Sequence, residues 1–226
     1  MLEAVGLLSG APSPFTDRSD AAYQLAAELA DYRGRKDVTV LGLARGGVPV
    51  AAVVAKELGA GLDALIVRKL GIPDQPEVAF GALAAHGGHT AVVMVDHIVA
   101  ELRRRNYSEQ RLQAVQATER AELQRRQEAY LHGRTTEVVG RTAILCDDGL
   151  ATGATMKAAI KAVRQSKPRE IVVAVPVGPP QTCAELEKLA DAVYCLRQPR
   201  GFRAVGEAYR HFNQVSDDEV LTALPQ

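Results

Sequence analysis

The chain has no tryptophan, few aromatic residues of any kind (4%), only three cysteines and no excess of either charge. Each scarcity excludes something. Lys plus Arg and Asp plus Glu both number 27, for a net charge of zero, which removes the basic footprint of a dedicated nucleic-acid binder. No run approaches the roughly 18 uncharged apolar residues of a membrane span. The opening segment, MLEAVGLLSGAPSPF, carries Glu3 and no basic residue before Arg18, which is not the pattern of a secretory signal peptide. Cys146, Cys183 and Cys195 cannot all pair and no CxxC occurs, the usage expected of a reduced, cytoplasmic protein. Glycine and proline, 19 and 11 of 226 residues, are too ordinary for a collagen-like or low-complexity chain. Two nucleotide-binding signatures are missing as well. GxGxxG does not occur, and Gly153-Ala154-Thr155 lacks the lysine of a Walker A loop.

What is present is an alternation of buried strands and helices. Residues 1–14, with Pro12 and Pro14, read as a lead-in arm. Ser19 can cap a helix to about Tyr32, with Leu25, Leu29 and Tyr32 on one face. Val38–Leu43 is a continuous apolar, β-branched run suited to a strand covered on both sides. Ala44-Arg45-Gly46-Gly47 then turns the chain, and Pro49 opens a helix to Leu58. Asp63–Val67 makes a second strand, giving a βαβ unit with a right-handed crossover. Glu77–Ala84 and Thr90–Val95 flank a hairpin turn at His86-Gly87-Gly88-His89. Residues 97–134 are polar and helical, with eight Arg and five Glu between 101 and 134. Thr142–Cys146, a helix to about Gln165, Ile171–Val175, a helix near Ala184–Leu189 and Ala192–Leu196 resume the rhythm, and a short helix ends the tail. The fold class is α/β: a doubly wound, mainly parallel sheet flanked by helices, interrupted by a β-hairpin and a helical insertion.

The chemistry concentrates in Ala143–Met156, AILCDDGLATGATM. A buried strand delivers Asp147 and Asp148 to its carboxyl end, and a small hydroxyl-bearing loop opens the next helix. That edge of an α/β sheet is where ligands bind. The N–H groups at the helix start, with Thr152 and Thr155, suit a phosphate. Carboxylates repel a phosphate, so the acidic pair should meet sugar hydroxyls, Mg²⁺ or both. The plain alternative is a polar turn and helix cap.

This stretch resembles the 5-phosphoribosyl 1-diphosphate (PRPP) motif of the type I phosphoribosyltransferases: apolar strand, two acids, then T-G-x-T. The likeness runs from about Phe15 to Val220 and is nearest to members of unassigned substrate that carry FxDRxDA and V-R-K-L-G. Here these read Phe15-Thr16-Asp17-Arg18-Ser19-Asp20-Ala21 and Val67-Arg68-Lys69-Leu70-Gly71. The resemblance implies one domain over 15–226, with helical insertion 97–134 and a C-terminal hood at 197–215. It implies that Asp147 and Asp148 hold the ribose hydroxyls and Mg²⁺, directly or through water. Ala151, Thr152, Gly153, Ala154 and Thr155 would cradle the 5′-phosphate. Arg45, Gly46, Gly47, Arg68 and Lys69 would serve the diphosphate, while Phe202 and Arg203 would form the acceptor hood. Some purine-specific members have an Asp where this chain has Ala151, so proton transfer would fall to Asp74 or Glu77 in the segment Ile72–Glu77. Residues 71–95 would supply a lid. The resemblance and the small residues around Arg45 also predict a non-proline cis peptide at Ala44–Arg45.

The expected activity is Mg²⁺-dependent transfer of phosphoribosyl to a purine- or pyrimidine-like nitrogenous acceptor, with diphosphate released by a homodimer. The rival is a non-catalytic PRPP sensor that binds nucleic acid through residues 101–134. The five glutamates there favour a solvated, ion-paired arm instead. His86-x-x-His89 lacks a third ligand and reads as a hairpin turn rather than a metal site.

Overall fold

A computed structural model describes residues 13–132 and 136–225, without the side chains of residues 76 and 77. The expected lead-in arm therefore lies almost entirely outside the described residues, as do Arg134 and the side chain of Glu77. Among the described residues a seven-stranded sheet runs in the order β4-β3-β2-β1-β5-β6-β7. Its strands are β1 (Val38–Ala44), β2 (Gly61–Ile72), β3 (Gln75–His86), β4 (His89–Met94), β5 (Thr142–Cys146), β6 (Glu170–Val177) and β7 (Ala192–Arg197). Strands β2, β1, β5, β6 and β7 are mutually parallel, while β3 and β4 add antiparallel to the β2 edge.

Every residue of β1 and β5 is buried. Such a strand must be apolar on both faces, which is why VTVLGLA and TAILC do not alternate. The helices α1 (Arg18–Glu28), α2 (Gly47–Leu58), α3 (Asp96–Arg104), α4 (Glu109–Leu131), α5 (Ala154–Gln165), α6 (Pro180–Leu186) and α7 (Asp217–Ala223) complete the layers. One face meets α1 and α2 through Val40, Val54, Leu25 and Ile144. The opposite face meets α5 and α6 through Leu43, Leu145, Ile160 and Leu186. The insertion helices and α7 close over β2 and β3 through Ile66, Phe80, Leu123, Tyr130 and Val220. Doubly wound packing is thus present, and the peptide between Ala44 and Arg45 is cis.

Three local expectations need correcting. Asp17, not Ser19, caps α1: its side chain accepts the Asp20 N–H at 2.9 Å, and a 3₁₀ turn replaces the last stretch to Tyr32. Both residues can cap, but a cap at Asp17 lets Thr16 N–H bond the Asp20 carboxylate at 2.8 Å. Next, Ile72–Glu77 is not a free loop. Strand β2 runs to Ile72 and β3 begins at Gln75, so only Pro73 and Asp74 turn, and residues 71–95 are a strand meander continued by β4. Last, α6 starts four residues earlier than expected, at Pro180. Proline at a helix's first position is preorganised for it and gives up no hydrogen bond.

Candidate active site

The chain leaves β1 in one direction to build β2 and the meander, and returns on the other side of β1 to build β5. The crevice between the carboxyl ends of β1 and β5 is therefore the topological switch point, where open α/β sheets bind ligands. Gly42 pairs with Cys146 across it. Two motifs a hundred residues apart, Ala44–Gly47 and Asp147–Thr155, are thereby set side by side.

The glycines of the turn serve that approach. A Cβ on Gly46 would lie 2.2 Å from Asp148 Oδ2, and one on Gly47 would lie 2.4 Å from the Cys146 carbonyl oxygen. Gly46 has an ordinary right-handed backbone, so what it supplies is room. Both acids are half-buried. Asp148 N–H donates to Asp147 Oδ1 at 2.9 Å. Burial pushes the Asp147 carboxyl well above the usual range, and the neighbouring Asp148 charge adds to it. Burial also raises Asp148, against the opposing pull of the Arg18 guanidinium.

Arg18 is the residue the sequence reading passed over. It lay inside the quoted Phe15–Ala21 segment without a role. Its Nε and Nη2 donate to Asp148 Oδ2 at 2.9 and 2.8 Å, its Nη1 donates to the Asn213 carbonyl, and its guanidinium lies 4.0 Å from the centre of the Phe212 ring. A signal existed. A cation in the first turn of a helix opposes the helix dipole, so Arg18 needed a partner elsewhere. Tyr209 lies within the expected hood segment 197–215 but also serves the acidic pair: its hydroxyl donates to the Asp148 carbonyl at 2.5 Å. Burial, then the Asp148 charge, raises the phenol and keeps it a neutral donor.

Beyond the acids, Gly153 takes φ +72 and caps α5. The Thr182 hydroxyl donates to the Ala151 carbonyl at 3.0 Å, which props the loop on α6. Ala151 and Thr152 are exposed, Gly153 and Ala154 buried and Thr155 half-buried. The first N–H groups of a helix have no intrahelical acceptor, and the Gly153 cap offers them no side-chain one.

The basic residues are engaged rather than idle. Arg45 Nη1 reaches Asp217 Oδ1 at 3.3 Å. Arg68 Nε and Nη2 both contact Glu119 Oε2, at 2.6 and 2.5 Å. Neither Arg68 nor Lys69 follows the strand as expected, because β2 runs on to Ile72; Lys69 is exposed within it. Arg18, Arg45, Gly46 and Gln214 line a cavity of about 330 Å³. A larger one of about 780 Å³ adjoins it at Gln214 and lies among Arg68, Lys69, Pro73, Arg111 and Glu119. Asp74 is engaged by the insertion. It accepts from Tyr107 Oη at 2.5 Å and Arg111 Nη2 at 3.3 Å, and the Tyr107 bond chiefly holds its carboxyl below the usual range. Phe202 packs with Phe15, Val177 and Tyr209 and lines a cavity of about 590 Å³ beside Arg197 and Arg200; Arg203 is exposed. Among the described residues, no three His, Cys, Asp or Glu groups come close enough for a protein-only metal site. The hard oxygens of Asp147 and Asp148 suit Mg²⁺, which commonly takes one or two carboxylates and completes its shell with water and substrate phosphates. No helix among the described residues is long and apolar enough to cross a membrane.

Comparison with known proteins shows the family. The model of the phosphoribosyl transferase domain matches residues 17–203. The chain is 48% identical over 211 residues, 93% of its length, to "Putative phosphoribosyl transferase Rv0571c" and to "Putative phosphoribosyl transferase MT0597", both of Mycobacterium tuberculosis. It spans 46% of those relatives' length, about half. The crystal structure of TT1426 from Thermus thermophilus is similar at 40% identity and a TM-score of 0.73, over 93% of this chain and 97% of that one. The protein belongs to the phosphoribosyl transferase domain family.

Proposed function

We propose that this protein transfers the phosphoribosyl group of PRPP to a nitrogenous acceptor and releases diphosphate. The observation that carries the reading is the contact at the switch point, where Gly46 and Gly47 abut Asp147 and Asp148 with no room for a Cβ between them. A diphosphate loop and a ribose site must adjoin in this way, because the bond that breaks joins ribose C1 to a diphosphate oxygen.

In this reading the α5 start, Ala151–Thr155, receives the 5′-phosphate through backbone N–H groups and the Thr152 and Thr155 hydroxyls. Asp147 and Asp148 accept hydrogen bonds from the ribose hydroxyls and offset positive charge developing at C1. Arg18 holds Asp148 in place and opposes the burial that raises its carboxyl. Arg45, with Gly46 and Gly47, binds the leaving diphosphate, and Arg68 and Lys69 join when Glu119 yields. Magnesium held by Asp147 and Asp148 would neutralise diphosphate charge when bound. The acceptor nitrogen supplies the electron pair of the new C1–N bond and loses a proton. With Asp74 tied to Tyr107 and Arg111, that proton role is assigned to Glu77. The turn that opens the meander, at Pro73 and Asp74, would serve as the lid, and the cavity lined by Phe202, Arg197 and Arg200, with Arg203 next to Phe202 in sequence, takes the acceptor.

A nucleic-acid role for the insertion finds less support, because Glu101 pairs Arg104 and Arg105 while Glu122 pairs Arg125 and Arg126. The test is a screen of purine- and pyrimidine-like acceptors for Mg²⁺-dependent diphosphate release from PRPP. Turnover that vanishes with Asp147→Asn supports the reading. PRPP binding without turnover on any acceptor, together with PRPP-dependent RNA or DNA retention, would replace it with the sensor.

A further inference from the structure

Arg45 and Arg68 each hold a carboxylate, but differently. Arg68 spends Nε and Nη2 on one Glu119 oxygen, so the edge that grips oxyanions is occupied. Arg45 gives Asp217 only Nη1. Among the described residues its Nε and Nη2 donate to nothing, and the side chain lines the 330 Å³ cavity with Arg18 and Gly46.

Asp217 is itself held from several directions. Tyr130 Oη donates to its Oδ1 at 2.6 Å and Arg125 Nη2 to its Oδ2 at 3.3 Å. It is the first residue of α7, whose start is fixed by a Ser216–Glu219 capping box. Val220 and Leu224 seal α7 into the same core cluster as Tyr130 and Leu123. Tyr130 is 1% exposed, so the bond it makes is anchored in the core. Arg125 offsets the Asp217 charge, which tempers the repulsion that a bare carboxylate would exert on an incoming anion.

We propose that Asp217 is a positioning residue for Arg45: braced by Tyr130 and Arg125, it anchors Nη1 and leaves the Nε–Nη2 edge preset for a pair of diphosphate oxygens. This rests on the reading of Ala44–Gly47 as the diphosphate turn. A guanidinium fixed in advance has less rotamer freedom to lose when the anion arrives, and its five donors allow it to hold an anchor and a ligand together. The device links the C-terminal helix and the insertion to the centre of the sheet, across 172 positions of sequence.

The test is titration calorimetry with inorganic diphosphate and MgCl₂ on the full chain, comparing wild type, Asp217→Asn, Arg45→Ala and the double variant. Asp217→Asn should weaken binding about 3- to 10-fold, the range expected from freeing one long side chain. Arg45→Ala should weaken it at least as much, and the double variant should bind like Arg45→Ala alone. Tyr130→Phe keeps the charge but removes the brace, so it should give a smaller loss that also disappears without Arg45. Unchanged or tighter binding in Asp217→Asn overturns the proposal, as does an equal loss in the Arg45→Ala background, since a merely structural role would not depend on Arg45. A wild type that binds no diphosphate overturns the reading of the turn itself, and this proposal with it.

Discussion

On the β5 side of β1, two chain segments meet backbone to backbone. On the β2 side, the sheet continues into a meander held to the insertion by side chains. The first junction is made of glycine, half-buried carboxylate and main-chain oxygen: Gly47 faces the Cys146 carbonyl and Gly46 faces Asp148. The second buries Ile66 and Phe80 against Leu123 and Tyr130 and adds ion pairs and a phenol: Arg68 to Glu119, and Asp74 to Tyr107 and Arg111. Backbone contacts in a close-packed interior cannot shift without moving whole strands. The exposed Asp74 contacts at the turn exchange with water at little cost. The difference leaves the switch point set in advance and confines the loosely held contacts to the turn between β2 and β3.

The sharpest way to break the comparison is to attack the set side. Asp147→Asn and Asp148→Asn should each weaken PRPP binding by about 1.5–3 kcal/mol, the scale of a hydrogen bond to a charged group. Calorimetry in Mg²⁺ measures it. Undiminished affinity in the double variant would remove the acidic pair from the site. Gly47→Ala tests the same junction through packing. Its new Cβ meets a backbone oxygen at 2.4 Å and the Asp147 Cα at 2.9 Å, neither of which can swing aside. The stability loss should be about 1–3 kcal/mol, as for overpacked cores, read from urea denaturation. A variant as stable as wild type would mean that the two segments are not locked together.

The two sides also differed in how far the sequence exposed them. Continuous apolar runs announce strands covered on both faces, so β1 and β5 were placed within a residue. The acidic pair and the T-G-x-T loop could be read because one strand–loop–helix unit carries them both. The meander was harder. Pro73, Asp74 and Pro76 look like a loop, yet only Pro73 and Asp74 turn, because pairing with β3 carries β2 on to Ile72. Arg18, Tyr209 and Asp217 act through partners 130, 61 and 172 positions away. No periodicity encodes such pairings, and only the folded chain brings them together.

Acid should separate the two sides further. Glu122 on α4 is held at a pKa of about 2, chiefly by its hydrogen bond to Arg125, with Arg126 adding to it. A depressed folded pKa contributes stability that is complete above the ordinary glutamate range and is lost as pH falls toward about 2. Lowering pH from about 5 to 2 should therefore loosen α4 before it loosens β1 and β5. Hydrogen exchange followed by mass spectrometry would show this as lost protection in residues 109–131 while residues 38–44 stay protected. The Glu122→Gln variant should lose most of that acid dependence. Simultaneous loss in both regions, or an unchanged acid profile in the variant, would count against a separately held insertion.

The smallest effect should come from the turn between β2 and β3. Tyr107→Phe removes the 2.5 Å bond to Asp74 and leaves only the looser Arg111 contact at 3.3 Å, between side chains that are 52% and 59% exposed. Exposed pairs of this kind contribute about 0–1 kcal/mol, so global stability by denaturant should move by no more than about 0.5 kcal/mol, as for other surface changes. The local effect should be larger than the global one. With its latch gone, the turn at residues 72–75 should exchange its amide protons faster, while residues 38–44 and 142–146 keep wild-type protection. Few buried contacts hold the turn, which is the physical content of calling a segment able to open. Equal acceleration in the turn and in β1 would mean that the meander and the central strands form one cooperative unit. An unchanged turn would mean that strand pairing between β2 and β3, and not Tyr107, is what keeps it closed.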